Sequence, residues 1–265
     1  MTGGTFLLQQ QKKQLEYWKA YVYAQQEDET AIAACMLRLL GSQPLRILEI
    51  GCGGAKLSAP LAQAGHDVTG LDVSGAMLYF AVKQARSLPN LHLRKADALA
   101  ESWGSNYDAV ILGANLLCNL ITDWEYKQAQ KQLIQRSAAA LKPGGKLIAD
   151  FDCPDTLDGY GAASGERLIF EGTDDHGSEG RYHVCGVFAD EKTRTVRSRR
   201  RIEIVPAAGV PFQVTTEHTK HFPTLAEVSA WLYREGFTIE SIHGGHQGQP
   251  FDLHHRRAVI AARKD

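Results

Sequence analysis

From Arg46 to Asp150 the chain alternates two hydrophobic rhythms. Short apolar runs over 46–50, 66–72, 91–95, 107–112 and 146–150 read as buried strands. Between them, apolar residues recur every three to four positions over 54–64, 74–86 and about 123–141, which predicts helices. Pro60 kinks the first of these helices or sits in its opening turns. Lys142-Pro143-Gly144-Gly145 stops the last one and turns the chain into the fifth strand. This alternation predicts a parallel sheet with helices on both faces and ligands at the carboxyl ends of the strands.

The flanks follow other patterns. Residues 8–41 have helical spacing up to Gly41, with Pro44 just beyond. After Asp150 the rhythm breaks into Gly/Asp-rich turns and strand-like runs at 167–170, 181–188, 193–205 and 212–221, predicting inserted antiparallel strands. Thr224 and Glu227 then form a capping box that opens a helix to Glu235, and Gly236 ends it. Two more strands are expected at 237–242 and 258–262.

At 265 residues the chain can bury a full core, as one α/β domain or a domain with an insertion. A formal net charge of −1 supplies no global field for nucleic acid or an anionic membrane. The cysteines Cys35, Cys52, Cys118, Cys153 and Cys185 are odd in number and include no CxxC pair, which points to reduced thiols rather than a disulfide framework or a zinc site. The start, MTGGTFLLQQQKKQ, has no secretory apolar core, and no apolar stretch approaches membrane-spanning length. A soluble, cytoplasmic protein is expected.

The candidate chemistry begins at Glu49-Ile50-Gly51-Cys52-Gly53-Gly54-Ala55-Lys56. Glycines at a strand-to-helix turn let the backbone approach a ligand closely. A dinucleotide site would carry G-x-G-x-x-G, but counting from Gly51 the sixth position is Lys56. Asp72 ends the second strand, where a carboxylate can accept both hydroxyls of a ribose; the plainer reading is an acid favoured by the next helix dipole. Asp97 follows the third strand and is placed to accept from an adenine amino group, or is an ordinary loop aspartate. Cys52 between the glycines has no base nearby in sequence. Arg197, Arg199 and Arg201 share one face of a strand and offer either a phosphate contact or a charged, solvated edge. His243, His246, His254 and His255 lie near glycine-rich loops without a metal-binding pattern, and no metal site is expected.

Taken in order over 46–150, these motifs resemble those of the class I S-adenosylmethionine-dependent methyltransferases. The segments Asp72-Val73-Ser74-Gly75-Ala76-Met77-Leu78 and Val110-Ile111-Leu112-Gly113-Ala114-Asn115 resemble the glycine N-methyltransferase-like small-molecule branch. The resemblance implies an α/β fold with a seven-stranded, mostly parallel Rossmann-like sheet, its last strand antiparallel, and an antiparallel β lid inserted after the fifth strand. It divides the chain into an N-terminal helical lid segment at 1–43, a core at 44–150 and 223–265, and a cap over the acceptor at 151–222. It implies S-adenosyl-L-methionine as cofactor and S-adenosyl-L-homocysteine as product. Gly51, Gly53, Asp72, Val73, Asp97, Ala98 and Gly113 would line the cofactor with Trp18 near it, and Tyr21 and Asn115 would face a small-molecule acceptor.

Two departures bear on the acceptor. Where that branch carries an arginine that grips an acceptor carboxylate, this chain has Asp152, which repels carboxylates and attracts a cation or hydroxyl. The arginine expected before the first core helix is missing from Gln25-Gln26-Glu27-Asp28-Glu29. Glycine is therefore not the expected acceptor; an amine or hydroxyl compound is. Asp152 and His221 are candidates for base or acceptor orienter, against the plainer readings of a turn cap and a structural histidine. An RNA methyltransferase using the 194–201 arginine run, and a protein that binds the cofactor without catalysis, are the alternatives. Nucleic acid and membrane partners are not expected, and the sequence leaves the oligomeric state open.

Overall fold

A computed structural model describes residues 3–26, 28–160, 165–252 and 254–265. The chain divides into two compact units, one made of the first helix with 156–220 and the other of 28–155 with 221–265.

In the larger unit, five strands alternate with helices: β1 (Arg46–Ile50), β2 (Asp67–Asp72), β3 (Leu91–Lys95), β4 (Tyr107–Leu112) and β5 (Leu141–Asp152). Two strands return at the end of the chain, β10 (Phe237–His243) and β11 (Arg257–Lys264). They form one seven-stranded sheet in the order β10-β11-β5-β4-β1-β2-β3. Strands β1 to β5 pair in parallel, and β11 runs antiparallel between β5 and β10. The expected seven-stranded sheet with an antiparallel last strand holds. Ile47, Val68, Ala109, Ile111, Ile148 and Val259 build its core together with Ala33, Cys35 and Met36 of α2 (Thr30–Leu40) and Leu61 of α3 (Ser58–Gln63). Helices α4 (Gly75–Ala85), α5 (Tyr126–Ala140) and α6 (Leu225–Arg234) complete the layers. The capping box at α6 forms as expected, with Thr224 and Glu227 bonded reciprocally.

The smaller unit is α1 (Gly3–Gln26) with a four-stranded sheet, β6 (Arg167–Thr173), β7 (Glu179–Asp190), β8 (Thr195–Val205) and β9 (Phe212–His221), in that order. Trp18 of α1 packs edge-on against Phe170 at 5.5 Å and joins Leu15, Val22, Ile202 and Ile204 in a core. A Cβ on Gly180 would lie 2.3 Å from the Trp18 indole, so the missing side chain is the notch that admits the ring. Trp18, expected beside a cofactor, is fully enclosed in this core.

Two local expectations change. The helical stretch at 8–41 is two helices, because Asp28 Oδ1 accepts from Thr30 N (3.0 Å) and Thr30 Oγ1 (2.6 Å) and so starts α2 afresh. Glu27, at the break, lies outside the described residues. The helix expected at 54–64 begins only at Ser58, because Gly51, Gly53 and Ala55 all have left-handed backbone (φ 71°, 51° and 60°).

Candidate active site

Adjacent parallel strands end on the same edge of a sheet, so β4, β1, β2 and β3 bring their following residues together. Gly51 and Cys52 both donate their amides to the Leu71 carbonyl (2.7 and 3.0 Å), which fastens the glycine turn to β2. A Cβ on Gly51 would sit 2.8 Å from Leu116 Cδ1. Asp72 closes the turn from the other side: Oδ2 accepts from Gly53 N (2.8 Å) and Oδ1 from Ser74 N (2.7 Å). Partial burial raises the Asp72 carboxyl, and the Ser74 and Gly53 amides counter part of that rise. Val73, next to it, is exposed.

Beneath the turn, Glu49 is buried and its Oε2 accepts from the Ser58 hydroxyl. Burial pushes this carboxyl up to about 8, against the Ser58 bond, with Glu29 and Asp72 adding like-charge repulsion. Cys52 is enclosed as well, and burial first, then Glu49 and Asp72, push its thiol far up. A protonated, enclosed thiol is a packing group and no nucleophile. At the end of β3, Asp97 is exposed and its Oδ1 accepts from Leu99 N (2.8 Å), while the Ala98 carbonyl accepts from Trp103 Nε1 (3.0 Å). Gly113 follows β4 and is buried; a Cβ there would lie 2.9 Å from Leu57 Cδ2.

Beyond Gly113 the edge is built from side chains. Ala114 and Asn115 are left-handed (φ 49° and 64°), held by Ala114 N to Asp150 Oδ2 (3.2 Å) and Asn115 N to the Asp150 carbonyl (3.2 Å). Asn115 and Asp152 bond reciprocally, Nδ2 to Oδ2 at 2.8 Å and Asp152 N to Oδ1 at 2.6 Å. Arg257 donates Nε to Asp152 Oδ1 (2.9 Å) and Nη1 to Asp150 Oδ2 (3.3 Å). His246 Nε2 lies 3.1 Å from Asp150 Oδ1, and Arg38 Nη2 donates to the His246 carbonyl (3.0 Å). The strands thus place Asn115 and Asp152 side by side, with both Asp152 oxygens already engaged.

His221 is buried at the end of β9. Its ring stacks on Tyr126 at 5.5 Å and is 2% exposed. Tyr21 lies in the smaller unit, donating its hydroxyl to the Thr173 carbonyl (2.8 Å). Sequence reasoning missed Asp150, Arg257 and the pairing of His246. One signal was available: in the antiparallel β11–β5 ladder Arg257 stands directly opposite Asp152. Of the other histidines, His243 Nδ1 faces the Gly248 carbonyl (3.1 Å) and His255 pairs with Asp252 (2.9 Å). Arg201, from the basic run, is ion-paired with Glu166 and Glu203, while Arg197 and Arg199 are exposed.

Residues 47–145 match a family model described as a methyltransferase domain. A ubiquinone biosynthesis O-methyltransferase of Hydrogenovibrio crunogenus (strain DSM 25203 / XCL-2) is 34% identical over 102 residues, covering 37% of this chain and 39% of that protein. A putative methyltransferase, YqeM, of Bacillus subtilis (strain 168) is 34% identical over 106 residues, 40% of this chain and 41% of its own length. The chain thus spans about two fifths of the length of these curated relatives. In structure it is similar over nearly its whole length to an S-adenosylmethionine-dependent methyltransferase from Clostridium acetobutylicum ATCC 824 (TM-score 0.68, 15% identity, 96% of this chain and 98% of that one). Residues 47–145 thus match a methyltransferase domain, and the chain shares its fold with S-adenosylmethionine-dependent methyltransferases.

This sheet edge fits S-adenosylmethionine, the cofactor named for that structural neighbour. At Gly51 and Gly113 a side chain would strike Leu116 and Leu57, so the backbone there stays bare. Asp72 spends one lone pair of each oxygen on a backbone amide, which fixes its carboxylate and leaves the second lone pair of each oxygen for ribose hydroxyls. Among the described residues, no helix is long and apolar enough to cross a membrane.

Proposed function

We propose that this methyltransferase moves the methyl group of S-adenosylmethionine onto a nitrogen or oxygen of a small molecule whose reacting end carries no carboxylate. The observation that carries the reading is the charge at the acceptor end of the sheet edge. Among the described residues, Asp150 and Asp152 share one guanidinium there, that of Arg257, which leaves the pair short of a cation where an acid-binding enzyme would present a free one. The relatives point the same way: the Hydrogenovibrio protein is named an O-methyltransferase of ubiquinone biosynthesis. A second structural neighbour is a sugar N-methyltransferase, KedS8, from Streptoalloteichus sp. ATCC 53650 (TM-score 0.67, 19% identity, 93% of this chain and 92% of that one).

In this reading Asp72 orients the ribose and the turn at Gly51–Gly53 receives the amino-acid end. The cofactor supplies an already activated methyl group, so the chain's own residues chiefly position the acceptor and keep its reacting atom in place. Asn115 and Asp152 form one face of the acceptor site. We do not assign a base role to Asp152, whose charge is paired with the Arg257 guanidinium, or to the enclosed His221. Trp18 is given to the core of its own unit, and the ion pairs of Arg201 weaken the RNA alternative.

Calorimetric titration with S-adenosylhomocysteine tests the cofactor half. Asp72→Ala is expected to weaken binding by about 1–3 kcal/mol, the worth of charged hydrogen bonds; unchanged affinity overturns the ribose placement. Methyl transfer from labelled cofactor to a panel of amines, hydroxyl compounds and carboxylates tests the acceptor half. Transfer confined to carboxylates overturns it, and binding without transfer to any member favours the non-catalytic alternative.

A further inference from the structure

We propose that His246, oriented by the buried Asp150, is the group that accepts the proton of the methyl acceptor. The assignment rests on the methyl-transfer reading of the same site.

The loop between β10 and β11 is folded back on itself by a bridge between His243 and Pro250 and by Gly244 N donating to the Gln249 carbonyl (2.9 Å). Arg38 of α2 then pins the loop at the His246 carbonyl (3.0 Å). The imidazole therefore sits at a fixed place on the sheet edge. Its Nε2 lies 3.1 Å from Oδ1 of Asp150, a carboxylate with no exposure of its own. An ionised carboxylate only accepts, so Nε2 must carry the hydrogen. Arg257 Nη1 also lies 3.3 Å from Nε2, but it is a second donor to the same carboxylate, at 3.3 Å from each of its oxygens, and cannot supply the missing hydrogen of that contact. The neutral ring is thus held as its Nε2–H tautomer with Nδ1 bare. Nδ1 bonds no partner among the described residues, and the side chain is 16% exposed.

A buried carboxylate that fixes the tautomer of an imidazole, whose other nitrogen is left as an acceptor, is the general arrangement of an oriented base. The other Asp150 oxygen takes the amide of Ala114, so the same carboxylate also holds the corner between Gly113 and Asn115. Base and acceptor corner are therefore registered to one another through a single residue. In the step assigned to His246, the N–H or O–H bond of the acceptor breaks and its electron pair stays on the acceptor atom. The proton forms an N–H bond at Nδ1, and the imidazolium is stabilised by Asp150 through Nε2–H.

The test has an arm that needs no acceptor. Nitrogen-15 NMR of the histidine rings of the full chain, saturated with S-adenosylhomocysteine under alkaline conditions and assigned with His246→Gln, should show a bare Nδ1 and a protonated Nε2. Asp150→Asn should relax that preference. A protonated Nδ1 in the wild type overturns the proposal. In the second arm His246→Gln should lower methyl transfer to the amine and hydroxyl panel by about 100-fold or more, with S-adenosylhomocysteine affinity changed less than threefold. Added imidazole should restore part of the rate to His246→Gly. Transfer within threefold of wild type, or a parallel loss of S-adenosylhomocysteine binding, overturns the assignment. A wild type that binds S-adenosylhomocysteine but methylates nothing in the panel overturns the enzyme reading itself, and the base falls with it.

Discussion

At the β1–β2 end of the sheet edge, Asp72 is held by the backbone amides of Gly53 and Ser74, 19 and 2 residues away in sequence. At the β4–β5–β11 end, Asp152 is held by the side chains of Asn115 and Arg257, 37 and 105 residues away. The first carboxylate is fixed by backbone amides, which every residue type but proline possesses. The second depends on two particular side chains delivered by separate strands. A backbone-built site tolerates change around it as long as the turn keeps its shape, whereas a site built from side chains changes its chemistry with each substitution. This is a physical reason for a shared methyl donor to be combined with varied acceptors on one fold.

The comparison is tested most severely at Arg257. Arg257→Met leaves the fully buried Asp150 without its guanidinium, and breaking a buried ion pair from one side is expected to cost about 3–5 kcal/mol in urea unfolding. A loss below 1 kcal/mol would mean that Ala114 and His246 satisfy Asp150 alone, and the contrast between the two ends would fade.

A second effect comes from Glu49, at the backbone-built end. Its carboxyl stands at about 8 in the folded protein, against about 4.3 in an unfolded chain. Between those values the native state keeps a proton that the unfolded chain has released, so this group makes stability fall as pH rises, by up to about 1.4 kcal/mol per pH unit. Glu49→Gln should flatten that slope in denaturation series taken across the window. An unchanged slope would show Glu49 to be ionised in the fold. Smallest is Ser58→Ala, which removes the hydroxyl bonded to Glu49 and is expected to cost about 1 kcal/mol, with the Glu49 limb moving to higher pH. If this change exceeds the cost of Arg257→Met, the ranking of the two ends is reversed.

The same contrast explains what could be read from the sequence. The strands, the glycine turn, Asp72 and the Thr224 capping box are local patterns, and periodicity with turn chemistry suffices to find them. The break between α1 and α2 was hidden because one aspartate, Asp28, restarts the helix inside an otherwise continuous periodicity. At the β4–β5–β11 end, Asp152 looked like a free carboxylate because its partner enters from the last strand. Asp150 read as one more strand residue, and His246 as one of several loop histidines, until the fold brought positions 150, 246 and 257 together. Only a register for β11 could have revealed Arg257 beforehand.

That register carries a consequence for the charge at this end of the sheet. Because β11 runs against its neighbours, the residue that reaches Asp152 is its first, Arg257, delivered straight from the loop after β10. A slip of one position turns every side chain of a strand to the other face, and Arg256 or Ala258 would then stand opposite Asp152. A slip that brought Ala258 there would remove the cation facing Asp152, one that brought Arg256 there would keep it, and neither touches the turn at Gly51–Gly53.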